Sequence, residues 1–265
     1  MRSFAVHCAV VVALTSASPG AGRVIITEIM YNPDSNEGRA ETEWVEIANV
    51  GDEAVEISNW RLDDEDRAEW GPFSCTLAPG GVAVLVNADA VDEKAFRAAW
   101  DPKASATPSA ADASSDEAGA GDESDPEPDK PGWLVIPVKW ASLANSPSAE
   151  NEHLKLLDAD DKVICAVNIE EGDPWPTCRP DGPSIYLVDL KATDLNQGAL
   201  WKRSELDVHG ARAVRKTEIF DGEDIGSPGF VEGLTARGVS VAHSEKTSDD
   251  SKKKKTESDD DTIDY

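Results

Sequence analysis

The run Val24-Ile25-Ile26-Thr27-Glu28-Ile29 is β-branched and almost continuously apolar, and it constrains the chain more than any other segment. Such a run suits a strand covered on both faces, although periodicity alone leaves a short buried helix open. Flanking Gly and Pro favour the strand. Further on, Trp44-Val45-Glu46-Ile47-Ala48-Asn49 sets Glu46 between apolar neighbours, and Ala54-Val55-Glu56-Ile57 repeats the alternation after Asn49-Val50-Gly51-Asp52-Glu53. Period two broken by Asn, Gly and Asp predicts a hairpin between these strands.

Strand signals recur downstream. Ala78-Pro79-Gly80-Gly81 marks a turn before a strand over 82–87, and residues 89–100 shift to a helical pattern. There Val91, Phe96 and Trp100 share one face, with Asp89 or Asp92 available as the N-cap. Residues 133–138 read as a strand whose Pro137 belongs at an edge or end. Residues 152–157 and 163–169 flank Asp158-Ala159-Asp160-Asp161-Lys162, the clearest hairpin of the second half. A further strand is expected over 184–190.

The first strand with Met30-Tyr31-Asn32-Pro33, the Trp44 to Asn49 run, and Ile57-Ser58-Asn59-Trp60-Arg61-Leu62 resemble the opening of a lamin tail domain. The far end is similar as well. Asp173-Pro174-Trp175-Pro176-Thr177, then Asp181-Gly182 and Ser184-Ile185-Tyr186-Leu187-Val188-Asp189, match a bacterial "WPT, DG, SLELID" run. Trp201 and Gly226-Ser227-Pro228-Gly229 resemble its closing elements, while Cys178 and Arg179 depart from the small or acidic residues of that pattern. The resemblance implies an all-β, immunoglobulin-like β-sandwich of the bacterial secreted type over residues 23–231, with a short helix where 89–100 lies. It also implies that Trp44 and Trp60 are buried.

Residues 101–131 consist largely of Ala, Ser, Pro, Asp and Glu, with no aromatic residue and no hydrophobic period, so they cannot recover the entropy of ordering. A long structureless loop argues against a single domain and for a linker between two. The resemblance favours a disordered acidic insertion instead, because the opening motifs precede it and the closing motifs follow. Loop closure costs only about 0.6 kcal/mol per doubling of length. Residues 232–265, with Lys252, Lys253, Lys254 and Lys255 set against Asp259, Asp260 and Asp261, read as a disordered charged tail.

Residues 1–22 have the layout of a signal peptide: Arg2, an apolar run over 4–14, then Thr15-Ser16-Ala17. Cleavage after Ala17 and cleavage at Gly20-Ala21-Gly22 are both open. The run is too short to span a bilayer, and no transmembrane span is expected in the mature chain. Cys8 lacks the preceding small residue of a lipid-attachment site. The mature chain would keep Cys75, Cys165 and Cys178; among the possible disulfides, Cys165 with Cys178 closes the shortest loop.

The formal net charge of −27 repels phosphate backbones, so no nucleic-acid partner is expected. Cysteine and histidine spacing argues against a zinc site. Asp34-Ser35-Asn36-Glu37-Gly38 resembles the start of a calcium loop, yet Trp44 and Val45 stand where the bidentate glutamate belongs, and an Asx-type turn is the simpler reading. Asp63-Asp64-Glu65-Asp66 and the Asp158 to Asp161 turn read as solvated acidic loops. His153, His209 and His243 stand isolated, and no nucleophile elbow, P-loop or H-E-x-x-H occurs. Glu28, Glu43 and Glu46 could form paired carboxylates, but alternation assigns them to solvent-facing positions.

No catalytic, cofactor or metal-binding residue is therefore nominated. The expectation is an exported, nonenzymatic binding or structural module whose partner is an unknown protein or envelope component, in a secreted, periplasmic or cell-surface setting. The rival is a divalent-cation-dependent hydrolase or hydrolase accessory protein.

Overall fold

The computed structural model describes residues 22–35, 41–64, 69–105, 132–140, 142–143, 150–170, 172–177 and 179–234. All of the expected signal peptide but Gly22, nearly all of the expected insertion and all but the first residues of the tail lie outside the described residues. So do His243 and Cys178.

Strands β1 (Val24–Met30), β2 (Trp44–Asn49), β5 (Val82–Asn87), β6 (Leu134–Val138), β9 (Ile185–Leu187) and β10 (Trp201–Arg203) form one sheet in the order β10-β9-β1-β2-β5-β6. The second sheet runs β4-β3-β7-β8, from β3 (Val55–Asp63), β4 (Glu69–Leu77), β7 (Glu150–Leu157) and β8 (Val163–Glu170). A two-residue pair, β11 (Arg212–Ala213) with β12 (Ile225–Gly226), completes the strands. Most pairings are antiparallel, but β6 joins β5 in parallel and lies at the sheet edge, where Pro137 removes no central ladder bond. This is the expected immunoglobulin-like sandwich.

One expected hairpin does not form. Strands β2 and β3 belong to opposite sheets, so the Asn49 to Glu53 segment is a crossover. Buried Asn49 builds that corner: its amide donates to the Glu53 carbonyl (2.8 Å) and the Leu77 carbonyl (2.9 Å), and its side-chain oxygen accepts from the Gly51 N–H (3.0 Å). An Asn-Gly break is as compatible with an arch between sheets as with a hairpin, because the alternation in each strand encodes a face and not a partner. The β7–β8 hairpin does form, and Asp158 closes it by accepting from the N–H groups of Asp160 (2.9 Å) and Lys162 (3.0 Å).

The inner face of the larger sheet presents Ile29, Val45, Ile47, Ala83 and Leu85 to Ile57, Leu62, Leu154, Leu156 and Val167 of the smaller one. The outer face presents Met30, Trp44, Ala48, Val84 and Val86 to a second apolar cluster. Helix α1 (Glu93–Trp100) covers that face with Phe96, Ala99 and Trp100, joined by Trp133 and Phe220. Asp92 is the N-cap, its carboxylate accepting from the Ala95 N–H at 2.7 Å. Two residues after the end of that helix, the first part of the stretch expected to be disordered forms a 3-10 turn, Pro102–Ser105. Trp44 is fully buried, as the resemblance implied. Trp60 is only half-buried, because β3 is irregular there: Asn59 takes φ +54° and the β3–β4 register shifts on both sides of Trp60.

Candidate functional site

Alternation assigned Glu28, Glu43 and Glu46 to solvent, and the structure overturns this: they are 1%, 5% and 1% exposed. Glu43 precedes β2 and accepts from the Trp140 indole N–H and the Leu143 N–H, both at 2.9 Å. Glu28 and Glu46 lie opposite each other in the β1–β2 register, on the sheet's outer face. They are buried because residues 204–234 pass over that face.

A bulge makes the pair. Ile26 pairs with Ile47 and Glu28 with Glu46, so Thr27 is the extra residue of β1, and it joins both glutamates in lining one cavity. The Thr27 hydroxyl donates to Glu46 Oε1 at 2.6 Å, and the Gly229 N–H donates to Glu46 Oε2 at 2.7 Å. Glu28 Oε1 accepts from the Ser184 hydroxyl (2.5 Å) and the Ser227 N–H (2.8 Å), while Oε2 accepts from the Ser227 hydroxyl (2.6 Å). Ser204 sits 2.8 Å from Ser184 Oγ and extends the hydroxyl chain.

Two glycines permit this closeness. A Cβ on Gly226 would come within 2.9 Å of the Trp44 ring and 3.1 Å of Glu28 Oε1. Gly229 has φ +84°, and a Cβ there would fall 2.3 Å from the Trp133 indole.

Burial raises the pKa of Glu28, although hydrogen bonds from Ser184 and Ser227 oppose it. Glu46 is raised further, first by burial and then by the charge of Glu28. Like charges this enclosed cannot both ionise cheaply, so the two titrate as a pair holding a proton well above the ordinary carboxylate range. Arg212 offers long-range relief to both, but its side chain donates elsewhere, to the carbonyls of Trp100 (2.5 Å) and Pro228 (2.7 Å). Burial lowers its own pKa.

The cavity over the pair is about 70 Å³, room for about two waters. Its wall includes Tyr186, Val188, Leu190, His209, Phe230 and Glu232. His209 is not isolated: its ring lies 5.0 Å from that of Tyr186, and its Nδ1 contacts the Glu232 carboxylate. Burial raises the Tyr186 phenol, with the charges of Glu205, Glu232 and Glu28 adding to it.

Other candidates are structural in place. Asp34 accepts from the distant Glu223 N–H at 2.8 Å, while its own N–H donates to Asp224 at 2.6 Å, so loop and C-terminal segment are tied together; residues 36–40 lie outside the described residues. Asp63 pairs with Lys155 at 3.1 Å, and Asp64 is buried rather than solvated as its loop reading had it, because it follows directly on the end of β3; residues 65–68 lie outside the described residues. His153 stands on β7, away from the cavity lining. Among the described residues, no three His, Cys, Asp or Glu side chains converge as metal ligands would, and no helix is long and apolar enough to cross a membrane. Cys75 and Cys165 are free thiols, each pushed by burial up to about 12; the partner expected for Cys165 is not described.

Sequence reasoning missed the serine cage, the Gly229 N–H and the rim. Ser184 and Ser227 stand 156 and 199 residues from Glu28, a separation no local pattern reports.

Among curated proteins, none matches the chain. The model of the Lamin Tail Domain matches residues 17–171, a span that includes β1 to β8 and both glutamates of the pair; the Ser184, Ser204, Ser227 and Gly229 partners lie beyond it. With a match over more than half of the 265 residues and a two-sheet sandwich to go with it, this chain belongs to the lamin tail domain family.

Proposed function

We propose that the protein is a nonenzymatic binding module that acts after export, at the cell envelope or in the extracellular space. The signal layout of residues 1–22 supports the export. The observation that carries the binding role is where exposed apolar side chains gather. Val188, Leu206, Val208 and Phe230, 38% to 53% exposed, lie in loops around the strand ends of β9 and β10 and the C-terminal segment. Val188 and Phe230 line the cavity over the carboxylate pair, and Val208 lines the adjoining groove, which shares Tyr186 and His209 with it. Among the described residues one other large apolar side chain is exposed, Val163 on β8; four of five on one part of a strongly acidic chain mark an interaction surface, and loops on a rigid sandwich are where such domains recognise partners. The carboxylates that acid–base chemistry would use are held in internal hydrogen bonds. With net charge −27, duplex DNA is expected not to bind at physiological salt.

The test is a screen of the purified mature protein against phosphodiester, phosphomonoester, ester and glycoside substrates, with and without calcium or magnesium. No turnover is expected; a turnover that follows the protein through repurification overturns the reading in favour of the hydrolase. Mass spectrometry of the chain from its native host checks the export, since an intact Met1 terminus contradicts it.

A further inference from the structure

We propose that the mouth over Glu28 and Glu46 docks a lysine side chain of a partner polypeptide, the ammonium entering toward the two carboxylates and the methylene stem lying against Phe230 and Val188. This deepens the binding-module reading and rests on it.

Size, charge and spare valence each favour this occupant. A cavity of about 70 Å³ takes an ammonium and the first methylene but is tight for a branched guanidinium. The floor is two carboxylates and the rim carries Glu232, with Glu205 close enough to act on Tyr186. Arg212, the cation that acts on both carboxylates, turns its donors to main-chain carbonyls. A carboxylate offers about four acceptor sites. Glu46 accepts one bond on each oxygen, and Glu28 one on Oε2, leaving acceptor capacity for the three donors of an ammonium. The exposed Phe230 and Val188 suit a lysine stem, which buries its methylenes while its head seeks charge.

Binding has a proton signature. The pair holds a proton that an entering ammonium displaces, so affinity rises with pH, with Tyr186, His209 and Glu232 facing the mouth, Glu205 in the adjoining groove, and Arg212, flanked by Asp101 and Arg215, behind it.

The experiment is an NMR titration of the full chain with acetyl-Gly-Lys-Gly-amide, beside the norleucine and arginine analogues, at pH 5.5 and 8. The lysine peptide is expected to shift the Ser227 and Gly229 amide signals and to bind at least about tenfold more tightly than the norleucine analogue, more tightly still at pH 8. Glu46→Gln is expected to lower affinity about tenfold and flatten the pH dependence. Phe230→Ala, at an exposed position, is expected to weaken binding about threefold even if the buried variant misfolds. Equal binding of lysine and norleucine peptides overturns the lysine assignment and leaves the module reading standing; chemical conversion of a peptide would instead overturn the module reading. Replacing Lys252, Lys253, Lys254 and Lys255 by glutamine in the full chain tests the chain's own lysine run as occupant: a tenfold gain in peptide affinity overturns the partner assignment, and an unchanged affinity supports it.

Discussion

On its inner face the larger sheet meets the smaller one through an apolar core of aliphatic side chains with Trp70 and Phe73; on its outer face it meets an apolar cover built by α1, Trp133 and Phe220, with two buried carboxylates beside it. Both faces exclude water, but by different means. Apolar burial on the inner face is worth about 25 cal/mol per Å² at any ordinary pH. Outer-face burial includes groups whose desolvation is unfavourable and is offset by directional hydrogen bonds from residues 184, 227 and 229. The inner face therefore supplies stability of a kind that pH leaves untouched, and the outer face makes stability depend on protonation.

The largest test sets Trp44 against Trp60. Trp44 is fully buried and meets the rings of Phe96 and Trp100 edge-on at 6.3 and 5.9 Å, so Trp44→Ala should lose about 3 to 5 kcal/mol in denaturant unfolding. Trp60→Ala, half-buried against the inner core, should lose about 1 to 2 kcal/mol. Equal losses would show that Trp60 packs as tightly as Trp44, against its half-buried place on β3.

The next test is pH. Both carboxylates are raised in the folded state, so between the ordinary carboxylate pKa and their raised values the folded chain binds protons that the unfolded chain has released. The pair's contribution is fully present below the ordinary pKa and is lost as pH rises through the folded values, at up to about 1.4 kcal/mol per unit per proton. Chemical unfolding at pH 5, 6.5 and 8 should show this fall, and Glu46→Gln should reduce it, since an amide can accept from the Gly229 N–H and donate to the Thr27 hydroxyl. A pH slope unaltered by the substitution would move the titration elsewhere.

The smallest effect is at the helix cap. Asp92→Ala removes the bond to the Ala95 N–H and should lower stability by about 1 kcal/mol. Amide exchange should accelerate in α1 and leave the β7–β8 hairpin unchanged; matched acceleration in both would show that the outer cover does not open separately.

Much of the inner face was legible in the sequence. The β-branched run of β1, the alternation of β2 and the Asp-rich turn of β7–β8 each reflect a local geometric rule, and those elements form. The helical pattern over residues 89–100 was legible for the same reason, although the helix starts only at Glu93 and takes Asp92, not Asp89, as its cap. What failed was whatever depended on a distant partner. Glu28 and Glu46 follow the solvent-facing phase of their strands, and only a cover arriving some 156 to 199 residues later reverses that reading. The β2–β3 hairpin failed because Asn49 bonds to Leu77 across the sandwich, which the turn residues alone do not encode. Glutamates in the middle of two otherwise apolar strands, together with serines in Gly-Pro-Ser and Gly-Ser-Pro-Gly, were the available signal.

The placement of β1 in the middle of its sheet sets a clock on folding. One edge of β1 pairs with β2 almost at once along the chain, but the other waits for β9, whose Ile185 pairs with Ile29. At about 5 to 20 residues per second of synthesis, that edge stands open for roughly 10 to 30 seconds after β1 has emerged. An open, apolar, β-branched strand edge is a template for pairing with any other extended chain. A segment prone to such pairing is thus one of the most thoroughly buried in the fold, and the hazard belongs to the nascent chain and not to the finished molecule.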